Sequence, residues 1–154
     1  MKRINLFFIF AAVACSSTQD PAKLEATATM IGTQNYAFVA ETALPMQGKS
    51  IYLTSRYTLE VANDTLTAYL PYFGRAYIAP VSPSEGGIQF ESHRFTHQTT
   101  KRKNGWDIRI HPSDNRRSYT ILLQVDDGGH ACLSVNSYDR QAISFTGHLE
   151  TRNN

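Results

Sequence analysis

Cysteine is scarce in this sequence, with only two among 154 residues. Two cysteines cannot build the disulfide framework that stabilises many small secreted domains. A single domain of about 150 residues does not need one, because it buries roughly two-thirds of its unfolded surface. Charge is scarce as well: charged residues make up 18% of the chain, with 15 basic and 13 acidic side chains. This near-balance argues against a disordered chain and against a nucleic-acid-binding protein, which usually carries a basic face.

The apolar run at the N-terminus is too short to cross a membrane. It extends from Ile4 to Ala14, broken only by Asn5, and follows the cations Lys2 and Arg3. As a helix, about eleven residues cover some 16 Å, roughly half of a bilayer core. This composition is typical of a signal peptide, which we assign to residues 1–14.

The residues around Cys15 predict a lipid anchor. The preceding 12–14 segment, Ala-Val-Ala, resembles the lipobox of bacterial lipoproteins, in which the cysteine is acylated and becomes the first mature residue. We therefore expect lipidation of Cys15 and attachment to the cell envelope, at the outer membrane facing the periplasm or the cell surface. An ordinary secretory signal cut after Ala14 is the alternative. Removal of Lys2 and Arg3 leaves thirteen charges of each sign, so a lipid rather than net charge would provide attachment.

The rest of the chain predicts an all-β domain after a short helix. We place the lipidated cysteine, a polar tether and the helix in residues 15–33, with Pro21 at the first helical position. From residue 34 to residue 150, apolar and polar residues alternate with the period of strands. Short turns such as Asn104-Gly105 separate these strands. An antiparallel meander of about eight strands removes its edges by closing into a barrel, so we expect a lipocalin-like β-barrel.

Residues 34–150 also resemble a known family. The string 70–74, Leu-Pro-Tyr-Phe-Gly, the run 86–90 and the closing segment 129–147 are similar to domain of unknown function family 4251. Its members are small envelope lipoproteins of Bacteroidota. The resemblance implies a lipoprotein address and a calycin-like barrel, and it implies no activity, catalytic residues or cofactor.

The segment Leu70–Tyr77 is the candidate ligand-binding site. It combines a proline, a glycine and several aromatic side chains at the end of a strand. One interpretation is a pocket mouth in which Tyr72, Phe73, Arg75 and Tyr77 contact a ligand. The other is a packed plug that covers the open end of the core.

Sites for metals and nucleophiles are not predicted. His93 and His97 lie in a strand-like stretch, where their α-carbons would be some 13 Å apart, too far to share one zinc ion. His130 and Cys132 share a strand face but lack a third orienting group, and we expect Cys132 to be an inert thiol. The basic run 101–103 is either a solvated hairpin tip or a contact with anionic surfaces.

These observations favour a non-enzymatic envelope lipoprotein. Its barrel would bind a small apolar or amphipathic ligand, or an envelope partner protein. The alternative is a hydrolase or other enzyme acting on envelope polymers through polar barrel residues. The candidates for that chemistry are Asp107, Arg109, His111 and Tyr119.

Overall fold

The computed structural model of the protein describes residues 21–77, 86–115 and 117–152. The predicted signal peptide and Cys15 lie outside these residues. The helix α1 covers Pro21–Gly32 and begins at Pro21, the predicted first helical position. No helix within the described ranges is both long and apolar enough to cross a membrane.

Nine strands follow α1 in the described part of the chain. Their bounds are β1 (Asn35–Pro45), β2 (Ile51–Ala62), β3 (Thr65–Leu70), β4 (Ile88–Ser92), β5 (Phe95–Arg102), β6 (Gly105–Pro112), β7 (Tyr119–Asp126), β8 (His130–Ser137) and β9 (Arg140–Glu150). They form one sheet in the order β4-β3-β2-β1-β9-β8-β7-β6-β5, and every neighbouring pair is antiparallel. The predicted all-β antiparallel meander with a short N-terminal helix is confirmed.

The sheet curls into a half-barrel. Its two edge strands, β4 and β5, are consecutive in the chain. Only His93 and Arg94 separate β4 from β5, and no ladder joins these two strands in the described residues. The first and last strands of a nine-stranded antiparallel sheet run in the same direction. Residues 88–102 therefore act as one bent strand that pairs first with β3 and then with β6. Counting β4 and β5 as one gives the predicted number of about eight.

The bend between β4 and β5 is held by the β6–β7 loop. The Asp114 carboxylate accepts the backbone N–H groups of His93, at 2.9 Å, and Arg94, at 3.1 Å, as well as the Ser92 hydroxyl. These hydrogen bonds, the Ser92 bond first, hold the pKa of Asp114 below its ordinary value. The Ser113 N–H adds a bond of 2.7 Å to the Arg94 carbonyl. These hydrogen bonds fix the backbone at His93 and Arg94.

The concave face of the sheet forms the hydrophobic core. In β7, for example, Tyr119, Ile121, Leu123 and Val125 are buried and alternate with more exposed residues. The largest fully buried side chains are Tyr36, Phe38, Phe145, Leu59, Leu66, Leu70, Ile88, Ile108, Ile110, Ile121, Leu123 and Leu133. These side chains come from every strand except β5, and they occupy the space that a lipocalin-type fold offers to ligands.

The two ends of the half-barrel differ. At the first, here called the helix end, α1 packs near the β7–β8 turn, and Asn63 of the β2–β3 turn donates its N–H to the Gln34 carbonyl. Thr27 of α1 is buried there, and a Cβ added to Gly129 would lie 3.4 Å from its hydroxyl. At the opposite end lie the β1–β2 loop, the segment after β3 and the β8–β9 turn. We call this second end the rim end.

Candidate functional site

The predicted site, Leu70–Tyr77, is bound to the β8–β9 turn. Ala76 forms an antiparallel bridge with Arg140, and the Tyr77 N–H donates to the Asp139 carbonyl at 2.7 Å. Gln141 adds two further bonds: its N–H donates to the Arg75 carbonyl at 3.1 Å, and its side-chain oxygen accepts the Arg75 N–H at 3.2 Å. The segment is therefore joined to the start of β9 by an isolated β-bridge and the neighbouring hydrogen bonds.

Tyr72 holds this segment in place. Its hydroxyl lies 2.9 Å from the Arg75 carbonyl and 3.1 Å from the Gln141 carbonyl, to which it donates. The guanidinium of Arg140 sits over its ring, 4.8 Å from the ring centre. A Cβ at Gly74 would lie 2.7 Å from the same hydroxyl, so the glycine permits this close approach. Burial raises the pKa of Tyr72, which stays a neutral donor at physiological pH.

A buried ionic cluster lies next to the segment, and its Arg140 packs on Tyr72. Asp139 and Arg140 are only 4% and 5% exposed. Asp139 Oδ2 lies 3.3 Å from Arg140 Nη2 and 3.0 Å from Arg117 Nε, and Asp139 also accepts the Ser137 hydroxyl. Burial raises the pKa of Asp139, but the hydrogen bonds from Ser137 and Arg140 and the two positive charges outweigh it, so the pKa lies below its ordinary value. Arg140 Nη1 also donates to the Gly87 carbonyl at 3.2 Å, which ties the cluster to the start of β4.

The four predicted site residues separate into two pairs. Tyr72 and Phe73 are partly buried and pack against the core. Arg75 and Tyr77 are exposed to solvent, and Tyr77 is 66% exposed. The ligand-binding role of all four stays a prediction. The residues that sequence reasoning missed are Asp139 and Arg140. They follow the segment by more than 60 positions and lie in the closing run 129–147, where nothing local indicates a contact with Leu70–Tyr77.

Exposed apolar side chains are concentrated at the rim end. All six exposed large hydrophobic residues of the described chain lie there, in the β1–β2 hairpin, at the end of β3, in the site segment and in the β8–β9 turn. We call this set the rim; it consists of Leu44, Met46, Tyr52, Tyr69, Tyr77 and Tyr138. The exposed cations Lys49 and Arg75 lie at the same end.

The polar residues proposed for an enzyme do not meet in a pocket. Asp107 is directed to the outer face, where it pairs with Arg102 at 2.8 Å and accepts a bond from Gln124 at 3.1 Å. Arg109 and His111 lie on the same outer face and are exposed. Tyr119 is directed into the core and stacks on Phe90 with ring centres 4.8 Å apart. The arrangement that the enzyme alternative requires is therefore absent from these four residues.

The histidines have separate environments. His93 contacts Glu91 at 3.0 Å and Thr65 at 3.3 Å, whereas His97 Nε2 lies 2.9 Å from the Tyr36 hydroxyl. Burial lowers the pKa of His97 and raises that of Tyr36, so both are neutral at physiological pH. Nowhere in the described ranges do three or more histidine, cysteine or acidic side chains group as metal ligands would.

Two further residues considered in the sequence analysis, Cys132 and Lys101, have defined surroundings in the structure. Cys132 is a half-buried free thiol on the outer face of β8. Within the basic run, Lys101 bonds the buried Asp127 at 3.0 Å and lies 3.5 Å from the centre of the Trp106 ring. Lys101 therefore packs against its own domain.

These features define a class of protein: a helix-capped antiparallel β half-barrel with a filled core and an aromatic rim. The chain belongs to the family described as Domain of unknown function (DUF4251), whose model matches residues 18–149. A similar solved structure is the crystal structure of a DUF4251 family protein from Bacteroides eggerthii, with 14% sequence identity and a TM-score of 0.63. That match covers 86% of this chain and 89% of the other, and it supports the fold. No curated protein matches the sequence.

Proposed function

We propose that this protein is a non-enzymatic envelope lipoprotein that is anchored through Cys15 and binds an envelope partner protein through the rim. The lipobox-like start of the sequence supports the anchor. The main support for the binding function is that the exposed large apolar side chains are concentrated at one end of the half-barrel.

The composition of the rim favours a protein partner. Tyrosine and methionine are enriched at protein interfaces, and the rim contains four exposed tyrosines and one methionine. An aromatic ring adds large contact area at a small cost in conformational entropy. The nearby cations Lys49 and Arg75 favour a partner that has acidic side chains around its apolar contact.

The filled core disfavours a small apolar ligand inside the half-barrel. Phe38, Leu59 and Phe145 of its core are fully buried. A ligand pocket of ordinary size needs some 300–1,000 Å³, and opening one here would require displacement of these residues. The outer rim needs no such rearrangement.

The position of the rim fits a tethered protein. Cys15 is six residues from Pro21, where α1 begins, and α1 packs at the helix end. A lipid at Cys15 would hold the helix end near the membrane and direct the rim away from it. We propose the outer membrane, on its periplasmic or outer side, as the location.

Site-specific photocrosslinking in intact cells tests the binding function. A photoreactive phenylalanine analogue replaces Tyr52 or Tyr77 in the rim, and Gln98, which is exposed on β5, is the matched control. We expect the same crosslinked protein from both rim positions and not from Gln98. Crosslinking of equal yield from Gln98, or different products from the two rim positions, would contradict a specific rim interface.

A further inference from the structure

A small polar groove lies on the outer face of β7 and β8 and shares Tyr138 with the rim. Its volume is about 270 Å³, and it is lined by Ser118, Thr120, Asn136, Ser137 and Tyr138. We propose that this groove binds a neutral saccharide. The proposal depends neither on the lipid anchor nor on a protein partner at the rim.

The strand register brings the polar side chains of the groove together. Thr120 lies directly opposite Asn136 in the β7–β8 ladder, and Tyr119 lies opposite Ser137. Tyr119 is buried in the core, so its neighbour Thr120 is directed outward together with Asn136. Directly opposed side chains in such a ladder have their Cβ atoms about 4.5–5.5 Å apart. One ligand ring can therefore reach both.

The groove offers hydrogen-bonding groups that the described protein does not use. The side chains of Ser118, Thr120 and Asn136 have no hydrogen-bond partner among the described residues, and all three are exposed. Hydroxyl and amide groups both donate and accept. The adjacent hydroxyls of a sugar ring do the same, so the two sets are complementary.

Tyr138 supplies an apolar surface at the edge of this polar set. It is 64% exposed, and its hydroxyl has no partner among the described residues. An aromatic face next to hydrogen-bonding groups suits a ligand that has an apolar ring face and a polar edge. A pyranose ring has both.

The charge of the groove favours a neutral ligand. None of its lining residues carries a charge at physiological pH. The nearest ionic cluster is engaged within the protein, because Asp139 bonds both Arg117, at 3.0 Å, and Arg140, at 3.3 Å. The volume of the groove lies slightly below the range of about 300–1,000 Å³ that is usual for ligand pockets, so the groove suits a small ligand or one part of a larger one.

Titration of the purified mature protein with three neutral hexasaccharides tests this site. The probes are maltohexaose, laminarihexaose and chitohexaose, each at up to about 10 mM, and the readout is the backbone amide shifts in NMR. We expect at least one probe to bind with a Kd of about 1 mM, an ordinary affinity for a small polar contact. The largest shifts should occur in residues 118–120 and 136–138.

Two variants and one control locate the binding. Tyr138→Ala should weaken the affinity about three- to tenfold, as expected for loss of an aromatic contact. Asn136→Ala, at an exposed position, should weaken it independently. Gln98→Ala, at an exposed position of β5 outside both the groove and the rim, should leave the Kd unchanged.

Three results would overturn the proposal. The first is failure of all three probes to bind. The second is an affinity that Tyr138→Ala and Asn136→Ala do not change. The third is tighter binding of a heparin-derived hexasaccharide at the same residues, which would assign the groove to anionic ligands. Because the rim test uses Tyr52 and Tyr77, failure of the saccharide site is distinguishable from failure of the protein interface.

Discussion

Asp139→Asn is expected to destabilise the fold strongly. The substitution keeps the size of the side chain and removes the carboxylate charge that faces two arginines, Arg140 at 3.3 Å and Arg117 at 3.0 Å. Arg140 is 5% exposed and would be left buried without a counter-charge. Loss of one partner of a buried ion pair typically costs about 3–5 kcal/mol, a large share of the roughly 5–15 kcal/mol that stabilises a domain.

Urea denaturation measures this cost directly. Trp106 is the only tryptophan and is buried, so its fluorescence reports unfolding. With a slope of about 2 kcal/mol/M, the midpoint should fall by roughly 1.5–2.5 M. Glu41→Gln is the matched control, because its partner His148 lies in an exposed pair and such pairs contribute about 1 kcal/mol or less.

A double variant separates the buried charge from other effects of the substitution. Arg140→Met added to Asp139→Asn removes the uncompensated cation and should recover part of the lost stability. A loss below about 1 kcal/mol in Asp139→Asn, or no recovery in the double variant, would refute the reasoning about the cluster.

Three further predictions concern pH, packing and the anchor. Folding lowers the pKa of His97, so the unfolded chain binds more protons than the folded chain below about pH 6.5. The free energy of unfolding should therefore fall as the pH drops through that value. In urea titrations at several pH values, His97→Gln should make the free energy of unfolding depend less on pH. Gly147→Ala would place a Cβ 1.9 Å from the Val39 carbonyl oxygen. It should lower the free energy of unfolding, measured with urea, by about 1–3 kcal/mol or more. Gly32→Ala, where nothing lies within 4 Å of the added Cβ, should change stability by less than about 0.5 kcal/mol. Intact mass spectrometry should find an acylated Cys15 at the mature N-terminus, and Cys15→Ser should release the protein from membranes; an unmodified Cys15 would refute the anchor.

Local sequence pattern predicted much of the architecture because each strand has one face on the core. The alternation of Trp106, Ile108 and Ile110 with polar residues in β6 follows directly from this burial. The Asn104-Gly105 turn is also local, and Gly105 has a φ of 146° that favours glycine. The nine strands therefore correspond closely to the alternating runs in the sequence.

Two features of the fold depend on tertiary contacts and could not be predicted from the local sequence pattern. Residues 92–100 alternate like one strand, yet the chain bends at His93 and Arg94 because Asp114 of a later loop binds both N–H groups. The site segment was recognisable from its proline, glycine and aromatic residues. Its support by Asp139 and Arg140 was not, because that contact joins distant parts of the chain and no local motif encodes it.

Photocrosslinking from Tyr77 in intact cells most directly tests whether the rim binds an envelope protein. Tyr77 is exposed, belongs to the predicted site segment and lies at the end opposite α1. We predict one discrete crosslinked protein from Tyr77 that is also obtained from Tyr52 and is absent from Gln98. Its absence from Tyr77, or an equal yield from Gln98, would contradict the proposed function.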